Sequence, residues 1–317
     1  MLLIHVGYHK TGTTWLQNHL FNQEDMGYTS PWGGQAGEAV DAFVVCNPFR
    51  FDPIAAREVF AEGIKNATNR SLIPVISNEA MCGGVNPRHR YEKNVADRLY
   101  QTFPEAKILV TIREQKIAIL SHYREKIASG GVETISEYLS KPWHKPGFAP
   151  PCSIDHFEYD LFVEYYQKLF GKHHVLVLPQ ETLKADRQFF CDQIVNFLEI
   201  PHGVAPESKE SRVGWRGWSL LYRLRCNQLH LGVNTGPQSR NSLMYKLVQK
   251  LGTVIATLTP KTWHEEVENR LKLEVKDRVG DYFAHSNERL QKLTHLDLKN
   301  LGYDLPSQSK LKEDCNG

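Results

Sequence analysis

The first fifteen residues constrain this chain more than any other segment. Residues 1–6, Met-Leu-Leu-Ile-His-Val, form a short run of strand type. Gly7-Tyr-His-Lys10-Thr-Gly12-Thr-Thr14-Trp15 follows at once, and a helical pattern then runs from Leu16 to Phe21. A buried strand that turns through bracketing glycines into a helix makes backbone N–H groups converge, and the helix N-terminus adds partial positive charge. Such a turn is a phosphate cradle. The spacing of Gly7 and Gly12 is that of a triphosphate P-loop, in which Lys and then Ser/Thr follow the second glycine. Here Thr13 holds the lysine position and Lys10 lies inside the loop. The charge is thereby moved from the β/γ-phosphates to another point on the ligand.

The string Lys10-Thr11-Gly12-Thr13-Thr14-Trp15 resembles the 5′-phosphosulfate loop of sulfotransferases that use 3′-phosphoadenosine-5′-phosphosulfate (PAPS), with His9 where proline often stands. The resemblance implies that Lys10 neutralises charge on the bridging oxygen and the sulfonate. It also implies that Thr11, Gly12, Thr13 and Thr14 bind the 5′-phosphate through backbone N–H and hydroxyl groups, with Trp15 closing the binding segment. A second segment resembles the same family. Residues 107–112, Lys-Ile-Leu-Val-Thr-Ile, read as a buried strand after the turn signal Phe103-Pro104-Glu105, and end in Arg113; Ser121 follows eight residues on. The family places a 3′-phosphate site there. Arg offers a planar fork to a phosphate dianion, and a hydroxyl about two helical turns later can reach the same group.

Between these segments, residues 71–76 read as a strand that leads into Ser77-Asn78-Glu79. The family keeps its general base just past this strand, and members acting on polysaccharides use Glu. The resemblance therefore assigns Glu79 as the base and His122 as the runner-up. A hydroxyl acceptor is too weak an acid to react unaided, so a positioned group must take its proton. His173–Leu183 and the helix after it resemble the family's fourth strand and following helix. Residues 282–290 and Asp297–Tyr303 resemble the ending of many prokaryotic-type members, and with the Glu base they lean toward a sugar or glycolipid acceptor. Lys209, Ser211, Arg212, Arg216 and Gly217 fall where a family loop closes over the 3′-phosphate, and Ser211 is the ligand expected there.

Strand-like runs at 1–6, 72–77, 107–112 and 174–178 alternate with helical patterns such as Tyr91–Thr102 and Phe157–Leu169. Alternation of this kind predicts a parallel sheet covered on both faces. The expected fold is α/β, a P-loop-type three-layer arrangement with a helix-rich C-terminal region. The 317 residues are expected to form one domain, with a core over about 1–214 and an appended helical region over about 215–317. The proline-rich stretch 142–151 is either a substrate lid or an inert surface loop.

No Asp or Glu occurs from Ser211 to His264, whereas eight Lys and Arg do, interleaved with Trp215, Trp218, Tyr222 and Tyr245. Such a block could bind phosphates, an anionic sugar or a membrane surface in peripheral contact, or could be a solvated helical face. Six cysteines without C-x-x-C or metal-ligand spacing fit reduced thiols in a cytoplasmic protein. No signal peptide and no membrane-spanning run is expected, nor is a metal or a nucleic-acid partner. The reading is a PAPS-dependent sulfotransferase that acts on a hydroxyl acceptor and releases 3′,5′-adenosine bisphosphate. Its rivals are a P-loop kinase with an atypical loop and a non-catalytic nucleotide-binding protein.

Overall fold

The computed structural model describes residues 1–86, 89–140, 152–201, 203–207, 215–229 and 243–307. The stretch 142–151 and Lys209, Ser211 and Arg212 lie outside the described residues. Five strands are present: β1 Leu3–His5, β2 Tyr28–Thr29, β3 Ile73–Ser77, β4 Lys107–Ile112 and β5 Val175–Pro179. The principal helices, in chain order, begin with α1 Thr13–Trp15, which continues as a π-helical turn over Leu16–Leu20. They proceed through α2 Pro53–Asn69, α3 Glu92–Thr102, α4 Gln115–Ala128, α5 Tyr159–Phe170, α6 Gln180–Ala185 and α7 Arg187–Leu198. The last four are α8 Gly217–Gln228, α9 Leu243–Leu258, α10 Lys261–Val279 and α11 Ala284–Thr294.

The described residues divide into two compact units. The first comprises residues 1–115, 155–210 and 281–317; the second comprises 116–154 and 211–280. The helical region expected over 215–317 is thus split, because α11 belongs with the sheet.

In the first unit the strands are all parallel, in the order β2-β3-β1-β4-β5. Four of these strands match the runs expected from sequence; β2, two residues long, carries too short a pattern to be read. The chain moves from β1 to one side of the sheet for β2 and β3, then crosses to the other side for β4 and β5. The carboxyl end of β1 is therefore where the order reverses, the usual ligand position in open α/β sheets.

Side chains alternate across the sheet with period two. On one face Leu3, Val75, Leu109 and Leu178 pack against Leu16 and Leu20 of the α1 stretch, Leu183 of α6, and Phe190, Ile194 and Leu198 of α7. His5, Ser77 and Thr111, each two residues further along its strand, fall on this same face at the carboxyl end, and all three are buried. Polar residues thus replace apolar ones at the sheet end nearest the glycine-bracketed turn. A second, aromatic cluster joins Phe43, Phe60 of α2 and Phe103, whose rings lie 5.7–6.4 Å apart. The C-terminal α11 is held to the unit by Arg289, which pairs with the buried Asp160 of α5 at 2.6 Å, and by the buried amide pair Gln115–Asn287.

The second unit is helical. Its α8 starts at Gly217, where Glu268 of α10 accepts the Gly217 N–H at 2.7 Å and His264 accepts the Trp218 N–H. A carboxylate there complements the helix dipole. Part of the basic, aromatic block is internal. The Arg223 guanidinium is buried, lies 5.6 Å from the Trp215 ring and 5.3 Å from the Tyr245 ring, and donates to the Ala128 carbonyl. Among the described residues no helix is long and apolar enough to cross a membrane.

Candidate active site

The turn after β1 has the backbone its sequence demands. Lys10 adopts φ +68° and Gly12 φ +94°, both left-handed. A side chain at Gly12 would also meet Leu183 Cδ2 at 2.9 Å. The N–H groups of Trp15 and Leu16 turn back onto the Gly12 carbonyl. The earlier N–H groups of the turn are those a helix leaves for an anion.

A buried polar chain supports this turn. Thr11 is fully buried, and its hydroxyl donates to the Tyr8 carbonyl at 2.5 Å. That contact fixes every other donor in the chain. Thr111 Oγ1, 2.7 Å away, must donate to Thr11 and so accepts from His5 Nε2 at 3.0 Å. His5 Nδ1 then accepts from Ser77 Oγ at 2.8 Å, and Ser77 accepts from the Gln17 amide at 3.0 Å. Burial holds the His5 imidazole neutral, with its pKa lowered to about 3. Gly7 is a consequence of this chain, because a Cβ there would lie 2.1 Å from Thr111 Oγ1 and 2.3 Å from His5 Nε2.

The Gln17 amide also donates to Glu79 Oε2 at 3.3 Å, and Gln35 donates to Glu79 Oε1 at 3.0 Å. Glu79 opens a 3-10 turn just past β3, half-exposed, while Gln17 is buried. The carboxylate is thus oriented by two amides, one of them on the helical stretch that leaves the glycine turn.

Arg113 follows β4. Its Nη1 donates to the Lys10 carbonyl at 3.2 Å, so the guanidinium abuts the turn. The backbone beneath it is pinned at two points, and Tyr303 steadies one of the partners. Tyr159 donates to the Arg113 carbonyl at 2.8 Å, and the Glu114 N–H donates to Glu181 Oε1 at 3.1 Å. Tyr303 donates to Glu181 Oε2 at 3.2 Å.

The structure therefore brings Lys10, Thr11, Gly12, Thr13, Thr14, Glu79 and Arg113 to the carboxyl edge of one sheet. Thr13 is buried and Thr14 half-buried. The hydroxyl of Thr11 faces inward and serves the turn, so only its backbone N–H is left for a ligand. Trp15 is half-buried, packs against the core and carries the Arg187 guanidinium 5.3 Å from its ring. Ser121 and His122 lie on α4 within the second unit, half-buried and buried respectively. Ser211 is outside the described residues. His5, Gln17, Ser77 and Thr111 are site residues that sequence reasoning missed. Their signal is a histidine and two hydroxyls interrupting otherwise apolar strands at their carboxyl ends. Among the described residues no group of His, Cys, Asp and Glu is placed to hold a metal ion.

No protein-family model and no curated protein matches the chain. Solved structures do. A sulfotransferase from Alicyclobacillus acidocaldarius is similar at 17% identity and TM-score 0.48, over 82% of this chain and 97% of its own. A sulfotransferase domain from the curacin biosynthetic pathway is similar at 12% identity and TM-score 0.39, over 96% and 98%. The mouse sulfotransferase SULT7A1 complexed with PAP is similar at 15% identity and TM-score 0.33, over 92% and 88%.

Proposed function

We propose that this protein transfers a sulfuryl group from PAPS to an acceptor hydroxyl. The observation that carries the reading is the turn itself. It has phosphate-cradle backbone, it leads into a helix, and its lysine stands inside the loop with Thr13 where a kinase lysine would be. Thr11, Gly12, Thr13 and Thr14 would hold the 5′-phosphate by backbone N–H groups, with the Thr13 and Thr14 hydroxyls adding to them. Arg113, already against the turn, is the residue suited to the 3′-phosphate dianion.

Lys10 stabilises the negative charge that develops on the bridging oxygen as the sulfur–oxygen bond breaks. Glu79, oriented by Gln17 and Gln35, takes the proton of the attacking hydroxyl. In-line attack forms the new oxygen–sulfur bond and releases 3′,5′-adenosine bisphosphate. The buried chain from Gln17 to Tyr8 keeps base and cradle in register during this exchange.

The test is thermal stabilisation. The bisphosphate should raise the melting temperature, and Mg-ATP should do so far less. A ligand at a hundredfold excess over its Kd contributes about 2.7 kcal/mol. A larger shift with Mg-ATP would replace this reading with the kinase.

A further inference from the structure

We propose that α9 is an interfacial helix that lays an exposed apolar stripe of the second unit onto a bilayer surface carrying anionic headgroups. The stripe belongs to that unit alone and is independent of the transfer reading above. Leu243, Leu247, Leu251, Val254 and Leu258 are each 45–87% exposed. At about 100° per residue they fall within about 80° of arc, so they form one continuous stripe along the sixteen residues of the helix. Apolar side chains exposed singly are ordinary, whereas five in one line mark a surface that is covered in use.

The opposite side of α9 is already occupied. Val248 is buried, and Gly252 lies against the Trp215 ring, where a Cβ would come within 2.2 Å. Tyr245 lies against the Arg223 guanidinium at 5.3 Å. Packing within the unit thus accounts for one side of the helix and leaves the stripe facing outward. A helix apolar on both sides needs cover on both. Sixteen residues are too few to span a bilayer, which takes about 20, so α9 lies along the surface.

Apolar surface extends beyond the helix. Ile255, one turn on from Leu251, lines a cavity of about 850 Å³ together with Leu221 and Trp218 of α8. The Trp218 ring lies 6.3 Å from that of Trp263 on α10, and the two residues are 42% and 55% exposed. Indoles, apolar with one N–H, suit the headgroup level of a bilayer.

Charge selects the occupant. Lys246 and Lys250 are exposed and flank one side of the stripe, and α9 holds no Asp or Glu. A second copy packed on this stripe would offer those lysines no carboxylate, whereas helical seams are flanked by complementary charges. Anionic headgroups complement them. The same imbalance runs from Ser211 to His264, which contains no acid. Where acids return, on α10, the exposed Glu266 is one turn from the exposed Arg270. Glu265 lies about 200° round that helix from Trp263.

The experiment pellets the full chain with sucrose-loaded vesicles, one set of phosphatidylcholine and one of equal parts phosphatidylcholine and phosphatidylserine. The chain should bind the anionic vesicles about tenfold or more tightly than the neutral ones. Leu247→Gln with Leu251→Gln should weaken that binding about tenfold or more, and Lys246→Gln with Lys250→Gln about tenfold. All four side chains are exposed, so the melting temperature and the binding of 3′,5′-adenosine bisphosphate should stay at the parent's values. Should the leucine variant fail to fold, the lysine variant reads the same surface. The proposal is overturned if anionic vesicles do not retain the chain, if neutral vesicles retain it equally, or if the folded variants bind as the parent does. The leucine variant should also leave the sedimentation coefficient of the free chain unchanged. A dimer that it dissociates would assign the stripe to a second copy and overturn the proposal.

Discussion

Two sets of buried polar atoms lie at the carboxyl edge of the same sheet, and they are in opposite states. Under the glycine turn, Gln17, Ser77, His5, Thr111 and Thr11 form one chain in which the linking hydroxyls and the imidazole each donate and accept. Beyond Cys82, Glu92, His156 and Tyr166 each keep an atom without a partner among the described residues. A saturated network holds geometry, and its members lose by any change. Buried atoms left unsatisfied cost stability. The first set braces the glycine turn, and the second is a local cost that the surrounding packing must offset. The half-exposed Glu79 carboxylate is oriented by Gln17, a member of the first set, and by Gln35.

The strongest way to break this comparison is to remove chemistry while keeping the scaffold. Glu79→Gln should lower turnover by roughly 10²–10⁴ with bisphosphate affinity nearly intact. Gln35 can rotate its amide to meet the new side chain, so the melting temperature should barely move. Lys10→Ala should cost about a hundredfold or more in turnover, the scale of one donor removed from developing charge. If Glu79→Gln remains nearly fully active, the base lies elsewhere and Gln17 and Gln35 orient a carboxylate with no part in transfer.

A smaller effect sharpens the scaffold side. Arg113→Ala should weaken the 3′,5′-bisphosphate by roughly 1.5–3 kcal/mol, and adenosine 5′-monophosphate much less, as titration calorimetry of both would report. The Arg113–Lys10 contact adds a common loss to both ligands, because the turn itself is loosened. An equal loss for the two nucleotides would make Arg113 a brace of the turn and nothing more.

Much of the glycine turn and its surroundings is legible in the amino-acid sequence. Loop residues carry their constraint locally: Gly12 needs its left-handed φ, and the strand–turn–helix order is written within fifteen residues. The parallel sheet is legible too, because β1, β3, β4 and β5 are runs buried on both faces. What escapes such reading is set by contacts distant in sequence. His5, Ser77 and Thr111 come together only once three strands are in register, over separations of 72 and 106 residues. Glu181 and Tyr303, which in sequence mark only the fold, meet under Arg113. The basic block misleads for a related reason: Arg223 looks like a surface charge in sequence, and its place between two aromatic rings exists only in the packed helices. Composition reports which charges are present, and only packing decides which of them face a partner.

The pH dependence of stability reads one member of each set. His5 and His156 are both held neutral by burial, each with its pKa lowered to about 3 from an ordinary value of 6.5. For His156 the nearby His9 and Arg90 add to the lowering. Between pH 6.5 and 3 the unfolded chain therefore binds a proton at each site that the folded chain does not. Stability must fall as the pH is lowered through that window, by up to about 1.4 kcal/mol per pH unit for each histidine. Above pH 6.5 neither contributes a slope. His5 has both ring nitrogens engaged inside the buried chain, so bisphosphate should raise the melting curve without changing its share of the slope. Melting temperatures from pH 7 to pH 4 measure this directly. His5→Gln and His156→Gln should each remove one histidine's share of the slope. A slope that His156→Gln leaves unchanged would mean that its imidazole is not held neutral in the folded chain.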